Sequence, residues 1–435
     1  MRISKKCKSK PNPEVNDKAT KPLTGAFRLT HKGAIFTIAV SAFILRIIAM
    51  LIWGDSLEET VYEYDRIARN IAAGLGFSFD MYGSTPLAPT AWMAPFYPYL
   101  LAAYYRLIGD NLQGMALGQA LAGGAICWLL GVGGRMLSGK NVGMIAALSF
   151  AIYPEMILLP MKFVAETWIL LEMALIFVIG AKYVRDGKRS QIIIVGILCG
   201  IAALTRVSAL ALPLALLFWF WLKKEKTRKL LLDSVLLLLV AAAVVAPWTI
   251  RNYSVFGEFI PVRTNFWINV WRGNFPDATG TPRNFDKIPH DAALDPRYEA
   301  FVESQLVGGE IQHEEVYRRL ALQHIKDDPL RYLSLSLRRF FYFWTIDPTH
   351  PLTGHPVYWA PWFLLLILAG VGVFSSRDHW SDYSFWYLLF GITTLAYSLT
   401  LVLPRYRIPL LPGLILLAAE GLRTLFSLRR ESGHT

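Results

Sequence analysis

Long apolar segments determine what this chain can fold into. The segment AIFTIAVSAFILRIIAMLIWG runs from Ala34 to Gly54, and LLLDSVLLLLVAAAVVAPW begins at Leu230. Each is close to the roughly 20 residues that an α-helix needs to cross the hydrocarbon core of a bilayer. Charged residues make up 17% of the chain, whereas a soluble protein usually carries about 25%. These features predict an all-α polytopic membrane protein.

The basic clusters predict which loops lie in the cytoplasm, because short cytoplasmic loops are enriched in Lys and Arg. Such clusters occur in both terminal tails, at 133–140, 182–189 and 223–229, and around Arg377. They account for most of the net charge of +12, so no nucleic-acid partner is expected. The pattern places both termini inside and predicts ten spans. These are 34–54, 112–134, 141–158, 167–184, 190–205, 207–222, 230–249, 357–374, 383–402 and 408–426.

The spans divide the chain into a membrane core, two tails and an outer face. Two segments, 94–109 and 331–344, are predicted to lie in the plane of the membrane interface. The first has two prolines and several tyrosines, which favour the interface over a crossing. The predicted divisions are a disordered basic cytoplasmic tail at 1–33, an N-terminal core at 34–249 with its first outer loop at 55–111, an outer region at 250–356, C-terminal spans at 357–426 and a cytoplasmic tail at 427–435.

The first outer loop concentrates acidic residues in the stretch EETVYEYDRIARNIAAGLGF, residues 58–77. On a helix, Glu59 shares a face with Glu63, and the neighbouring face carries Glu58 and Asp65. One interpretation is a solvated amphipathic helix that caps the first span. The other is a carboxylate at the membrane surface that acts as a general base or a metal ligand. The glycines of AAGLGF are predicted to end this helix.

A second acid and several arginines lie at the same predicted face. Glu166 begins a predicted span, where an acid also stabilises the helix dipole. Four arginines occur at outer ends of spans, against the positive-inside bias: Arg206, Arg251, Arg405 and Arg407. Guanidinium groups suit phosphate geometry, and the alternative is that they anchor the spans by snorkelling. Acids and arginines together fit a substrate with a lipid tail and a phosphate at the membrane surface.

Other classes of site have little support in the sequence. The histidines of the long outer region lack metal-ligand spacing. These are His290, His313, His324, His350 and His355. The sequence has no P-loop, no GxGxxG motif and no nucleophile elbow. ATP-driven transport is therefore not indicated.

Several stretches follow one another in a characteristic order. They are YDRIARNIAAGLGFS, APFYPYLLAAYYRLIGDN, YPEMILLPMKFVAETW, GIAALTRVSALALP, PWTIRNYSVFGEFIPV with WRGNFPDATG, and RYRIPLLPGLILLAA. Together they resemble the GT-C-type, family 39-like glycosyltransferases, which include protein O-mannosyltransferases and the aminoarabinose transferases of lipid A. The resemblance covers about residues 34–426 and implies a GT-C-like helical bundle.

The resemblance also implies a function. It implies a polyprenyl-phosphate-linked sugar donor, a lipid, glycan or protein acceptor, and inverting transfer at the extracytoplasmic face of the plasma or inner membrane. An acid of the first outer loop would act as the base. The competing hypotheses are a transporter or flippase of lipid-linked sugars, and a polymerase or ligase of such sugars.

Site residues follow from the resemblance position by position. The acid of the first outer loop is assigned to Glu59, with Glu58, Glu63 and Asp65 as alternatives. The second acidic position falls on Glu166.

Lipid-phosphate contacts are likewise assigned by position. They fall on Arg405 and Arg407, with Arg206 and Arg251 as further candidates. Some relatives use a divalent cation and others do not, and two acids on neighbouring loops could hold one.

We predict that Glu59→Gln lowers sugar transfer by about 10²- to 10⁴-fold, because it removes the base at nearly constant shape. Glu63→Gln should have a smaller effect. Transfer from a radiolabelled polyprenyl-phosphate sugar by equal amounts of purified variants measures both. Full activity of Glu59→Gln, with loss in another acid of the loop, would move the base along or around this helix.

Overall fold

The fold is built almost entirely from helices. The computed structural model describes residues 30–54, 63–80, 86–224, 227–289, 296–306 and 308–432. Its α-helices are α1 His31–Trp53, α2 Glu63–Ala72, α3 Phe96–Leu107, α4 Leu112–Ser138, α5 Lys140–Ile152, α6 Pro154–Leu158, α7 Glu166–Asp186, α8 Arg189–Thr205, α9 Leu212–Lys223, α10 Arg228–Phe256, α11 Phe266–Arg272, α12 Pro296–Gln305, α13 Glu310–Asp327, α14 Pro329–Trp344, α15 Pro356–Ser375, α16 Ser384–Leu399 and α17 Leu411–Ser432.

Short elements connect these helices. The two short strands β1 Ser78–Phe79 and β2 Ala88–Pro89 pair antiparallel within the first outer loop. The 3-10 helices are Leu159–Met161, Val207–Ala211, Pro351–Gly354, Arg377–Asp382 and Pro404–Leu410.

Six helical segments of the described chain are long and apolar enough to cross a bilayer. They are α1, α4, α7, α10, α15 and the segment Pro404–Ser427, and each coincides with a predicted span. The prediction of an all-α polytopic membrane protein is confirmed. Three further predicted spans coincide with shorter apolar helices, namely α8, Val207–Lys223 and α16. The count of ten crossings therefore stays a prediction.

The predicted span 141–158 is not one straight helix. Helices α5 and α6 meet at a bend of 60°, and the break falls at Tyr153, whose backbone is extended (φ −66°, ψ 118°). Pro154 follows it, and a proline disfavours helical geometry in the residue before it. The 3-10 helix that follows α6 is buried and contacts α4 and the start of α7.

Close approach of backbones holds the bundle together where small residues meet. A Cβ atom on Gly372 of α15 would lie 1.8 Å from the Leu417 carbonyl oxygen of α17, and one on Gly421 would lie 2.2 Å from the Leu368 carbonyl oxygen. The two helices therefore pack backbone against backbone through glycine, as is common between membrane helices.

The first outer loop and the 250–356 region share one hydrophobic core. Ile67 and Phe77 from the loop pack with Trp248, Trp271 and Tyr317. The predicted end of the helix in the first outer loop is confirmed. Helix α2 ends at Ala72, and the following Gly74 and Gly76 have φ of +84° and +72°. The segments predicted to lie in the interface are helical as α3 and α14.

One carboxylate fixes these two regions to each other. Glu310, the first residue of α13, accepts hydrogen bonds from the Thr90 hydroxyl at 2.6 Å, the Ala91 amide at 3.2 Å and the Thr264 hydroxyl. The outer region therefore holds the segment that follows β2, and this segment leads directly to the candidate site.

We expect Gly372→Ala to destabilise the bundle by about 1–3 kcal/mol, because the added methyl group overlaps the α17 backbone. The matched control is Gly370→Ala on the same helix, where a Cβ meets no atom within 4 Å. Thermal unfolding of detergent-purified protein compares the two variants. Equal melting temperatures would contradict the glycine-mediated packing of α15 and α17.

Candidate functional site

The centre of the candidate site is a buried ion pair between two helix ends. Glu166 is the first residue of α7, and Arg206 directly follows α8 with extended backbone angles (φ −146°, ψ 127°). The Arg206 Nη1 donates to Glu166 Oε1 at 2.7 Å, and their side chains are 12% and 5% exposed. Each of these buried charges needs the other as a close partner, because an unpaired ion would be costly to bury.

This ion pair lies in the wall of a small cavity of about 140 Å³. The cavity brings together acids, arginines and tyrosines from distant parts of the chain. Its charged and phenolic residues are Glu63, Tyr64, Glu166, Arg206, Arg263, Tyr397, Arg405 and Tyr406. The Arg206 guanidinium also stacks 5.5 Å from the Tyr406 ring centroid. The predicted gathering of acids and arginines at one place is thus present in the fold.

A larger cavity of about 870 Å³ adjoins the small one. Val164, Glu166 and Arg405 line both cavities, so these three residues belong to a shared wall. The larger cavity has apolar walls that include Leu158, Leu352, Val357, Pro361 and Ile408. Its cationic residues are Lys162, Arg283, Arg405 and Arg407, and Glu155 is an acid in its wall.

Arg405 and Arg407 differ in how the protein holds them. Arg407 is 6% exposed, donates to the Thr345 carbonyl oxygen at 3.1 Å, and lies 4.0 Å from the Trp362 ring centroid. Arg405 is exposed, and its guanidinium makes no hydrogen bond or ion pair with the described residues. A fixed cation and an available cation therefore face the same cavity.

The predicted acids of the first outer loop separate in the structure. Glu63 lines the small cavity. Asp65 does not, because its carboxylate accepts from Arg69 at 2.8 Å and from the Tyr105 hydroxyl. The hydrogen bond from the Tyr105 hydroxyl to Asp65 ties α3 to α2. Glu58 and Glu59 lie outside the described residues.

Arg251 is not among the residues that line either cavity. Its guanidinium donates to the Thr90 carbonyl oxygen at 2.7 Å and to the Phe77 carbonyl oxygen at 3.0 Å. It also stacks 4.8 Å from the Trp248 ring centroid. The structure thus uses this arginine to hold the first outer loop against α10.

Several residues of the two cavities were not predicted from the sequence. Tyr64, Arg263 and Tyr406 line the small cavity, and Lys162 and Arg283 line the large one. Lys162 and Tyr406 could have been noticed in the sequence, because each is a polar residue within a short, mostly apolar turn. Arg263 and Arg283 lie in a polar region, where an arginine is ordinary and the sequence gives no reason to single it out.

His350 also lines the large cavity, next to its cations. Burial, together with the nearby charges of Arg283, Lys162 and Arg407, lowers the pKa of this imidazole to about 4. Its Nδ1 accepts from the Leu352 amide at 3.2 Å, and its ring stacks on Tyr358 with a centroid distance of 4.5 Å. His350 is therefore neutral near pH 7 and presents its other nitrogen as a donor.

The described residues contain no group of three or more His, Cys, Asp or Glu side chains that could hold a metal ion. Two acids, Glu63 and Glu166, share the small cavity, and one oxygen of Glu166 already accepts from Arg206.

Comparison with known proteins shows which families and structures this chain resembles. Residues 92–250 match the model of the dolichyl-phosphate-mannose-protein mannosyltransferase family. No curated protein sequence matches the chain.

Solved structures match over most of the chain. The archaeal oligosaccharyltransferase AglB from Archaeoglobus fulgidus, in complex with an inhibitory peptide and a dolichol-phosphate, matches with a TM-score of 0.57 and 17% identity, over 93% of this chain and 51% of that one. The same enzyme tethered to an acceptor peptide with the NVT sequon matches with a TM-score of 0.57 and 15% identity, over 91% and 50%. ArnT from Cupriavidus metallidurans, bound to undecaprenyl phosphate, gives a TM-score of 0.43 and 14% identity, over 90% and 78%.

The chain spans about half the length of the oligosaccharyltransferase that it matches. The matched part covers 93% of the present chain. The chain therefore shares the helical fold of this oligosaccharyltransferase, and its segment 92–250 resembles the dolichyl-phosphate-mannose-protein mannosyltransferase family, in line with the resemblance of the ordered sequence stretches.

The neutral His350 predicts a pH dependence of stability. Its folded pKa is about 4, whereas an unfolded histidine has a pKa of about 6.5. Between these values the unfolded chain binds a proton that the folded chain does not, so His350 lowers stability as pH falls from about 6.5 to 4. The variant His350→Asn keeps an acceptor for the Leu352 amide. We expect its melting temperature to fall less than that of wild type over this pH range, by on the order of 1–3 °C. Parallel melting curves at all pH values would contradict this placement of the imidazole.

Proposed function

We propose that the protein is an integral membrane glycosyltransferase that transfers a sugar from a polyprenyl-phosphate-linked donor to an acceptor at the extracytoplasmic face. One observation carries this proposal. A small cavity lined by acids and arginines and a larger cavity with apolar walls and four cations share Glu166 and Arg405 in their walls. A lipid-linked sugar phosphate has matching groups along its length. Its apolar tail suits the apolar walls, its anionic phosphate suits the cations, and its polar sugar suits the small polar cavity.

The larger cavity suits the lipid end of such a donor. The walls around Leu158, Val357 and Ile408 are apolar and would contact the first isoprene units. Cations of the same cavity would bind the phosphate, because guanidinium groups form strong charge-assisted bonds with phosphate oxygens. Arg405 lines both cavities and makes no hydrogen bond or ion pair with the described residues, so it is the best placed to contact the phosphate next to the sugar.

The smaller cavity suits the reaction. An acceptor hydroxyl would attack the anomeric carbon of the sugar from the side opposite the phosphate. As the new glycosidic bond forms, the bond between the anomeric carbon and the phosphate oxygen breaks, and the configuration inverts. The electron pair leaves with the polyprenyl phosphate, where nearby arginines stabilise the added negative charge. The hydroxyl proton passes to a carboxylate.

The carboxylate that takes this proton is proposed to come from the first outer loop. Glu59 remains our assignment, and Glu63 is the acid in the described part of this loop that lines the cavity. Glu166 has a different role in this proposal, because one of its carboxylate oxygens already accepts a hydrogen bond from Arg206 at 2.7 Å. It would hold Arg206 in place beside the reacting groups.

The comparisons support the donor class. The AglB structure contains a dolichol-phosphate together with a peptide, and the family model that matches residues 92–250 is described by a dolichyl-phosphate-linked sugar.

We expect Arg405→Gln to weaken binding of undecaprenyl phosphate by about tenfold, since it removes a charged hydrogen bond to phosphate. The control is Arg377→Gln, in the predicted cytoplasmic loop between α15 and α16, which should bind like wild type. Binding to protein in nanodiscs and transfer from a radiolabelled polyprenyl-phosphate sugar into a membrane extract measure the two steps. Release of free polyprenyl phosphate with label in a new product supports the proposal. Passage of unchanged labelled lipid across the bilayer, without transfer, would instead support a transporter.

A further inference from the structure

A second carboxyl on α7 is buried behind the candidate site and has no role in the chemistry above. Glu172 lies six residues after Glu166 and is 5% exposed. Its Oε1 lies 2.8 Å from the Thr205 Oγ1, while its Oε2 is buried without a hydrogen-bond partner. Among the described residues, no ion pair includes Glu172.

Counting protons shows which form of this carboxyl the structure accommodates. The Thr205 Oγ1 also lies 2.9 Å from the Ile201 carbonyl oxygen, which can only accept. A threonine hydroxyl has one hydrogen to donate. When that hydrogen bonds to Ile201, as is usual for a threonine in a helix, the contact with Glu172 requires the carboxyl to be the donor.

The surroundings favour the same assignment. An ionised Glu172 would be a buried anion inside a helix that is long and apolar enough to span the membrane. It would have one hydroxyl partner and no cation, which is far more costly than a buried neutral acid. A protonated carboxyl that donates to Thr205 avoids this cost.

The position of Thr205 connects this bond to the site. Thr205 is the last residue of α8, it lines the small cavity, and the next residue is Arg206. Two consecutive residues at the end of α8 are thus bound to two acids of α7, Thr205 to Glu172 and Arg206 to Glu166. The first contact fixes the helix end from which the Arg206 side chain extends.

We propose that Glu172 is a positioning residue that acts as a neutral acid: by donating to Thr205, it sets the end of α8 and so aligns Arg206 with Glu166 in the small cavity. This inference rests on the proposed transferase function for its effect on rate. Its structural part, the fixed end of α8, can be measured without any transferase activity.

Two variants of nearly equal size test the inference. Glu172→Gln keeps a donor for Thr205 through its amide nitrogen and should retain a rate close to that of wild type. Glu172→Leu is well tolerated in an apolar helix but cannot donate, and it should lower kcat by about 10- to 100-fold through misplacement of Arg206. Hydrogen–deuterium exchange at residues 202–209 should increase in Glu172→Leu and remain unchanged in Glu172→Gln.

A third variant removes the same contact from its other partner, so the test does not depend on the folding of Glu172→Leu. Thr205→Val removes the hydroxyl at constant shape, so it should reproduce the rate and exchange of Glu172→Leu. The double variant should be no worse than either single variant, because both remove the same contact.

Three results would overturn the inference or separate it from the proposed function. A Glu172→Leu protein with wild-type rate and wild-type exchange would show that the contact positions nothing. A Glu172→Gln protein as inactive as Glu172→Leu would show that a charge or a transferable proton is required, and not a neutral donor. If wild-type protein transfers no sugar, the proposed function fails, while the exchange comparison at 202–209 still decides whether Glu172 fixes the end of α8.

Discussion

The buried ion pair between Glu166 and Arg206 is the contact on which the candidate site depends. It joins the first residue of α7 to the residue after α8 at 2.7 Å. Each charge would be costly to bury alone, and each is stabilised by the other. The pair therefore requires that the two helix ends stay together. It places a carboxylate in the wall that both cavities share and a guanidinium in the wall of the small cavity. Loss of either partner would leave the other charge without this contact in the wall of the small cavity.

Other contacts of the site depend on the same arrangement of helix ends. The bend between α5 and α6 brings the 3-10 helix and Lys162 beside the start of α7. The turn Pro404–Leu410 supplies Arg405 and Arg407 from the other side. Glu310 holds the segment after β2 from the outer region. The walls of the site thus come from breaks between helices, where backbone and side chains are free to face a ligand.

Much of the fold could be predicted from the sequence, because long apolar segments leave few alternatives in a membrane. The positions of Glu166 and Arg405 were also predictable, since charged residues at the ends of apolar segments are unusual enough to be noticed. The roles of Asp65 and Arg251 were not. Both lie near the predicted site in sequence, but one pairs with Arg69 and the other donates to backbone carbonyls of the first outer loop. Sequence spacing gives the face of a helix and not the partner across it. Contacts such as Thr90 with Glu310, which are 220 residues apart, have no local signal.

The central claim is that the two cavities form one site for a lipid-linked sugar phosphate, joined at Glu166 and Arg405. An electron cryo-microscopy structure of the protein in nanodiscs with undecaprenyl phosphate tests it most directly. We predict phosphate density within hydrogen-bonding distance of Arg405, with the isoprenoid chain along the apolar wall near Val357 and Ile408. Phosphate density at another place, or lipid density that leaves the junction at Glu166 and Arg405 without contact, would contradict the claim.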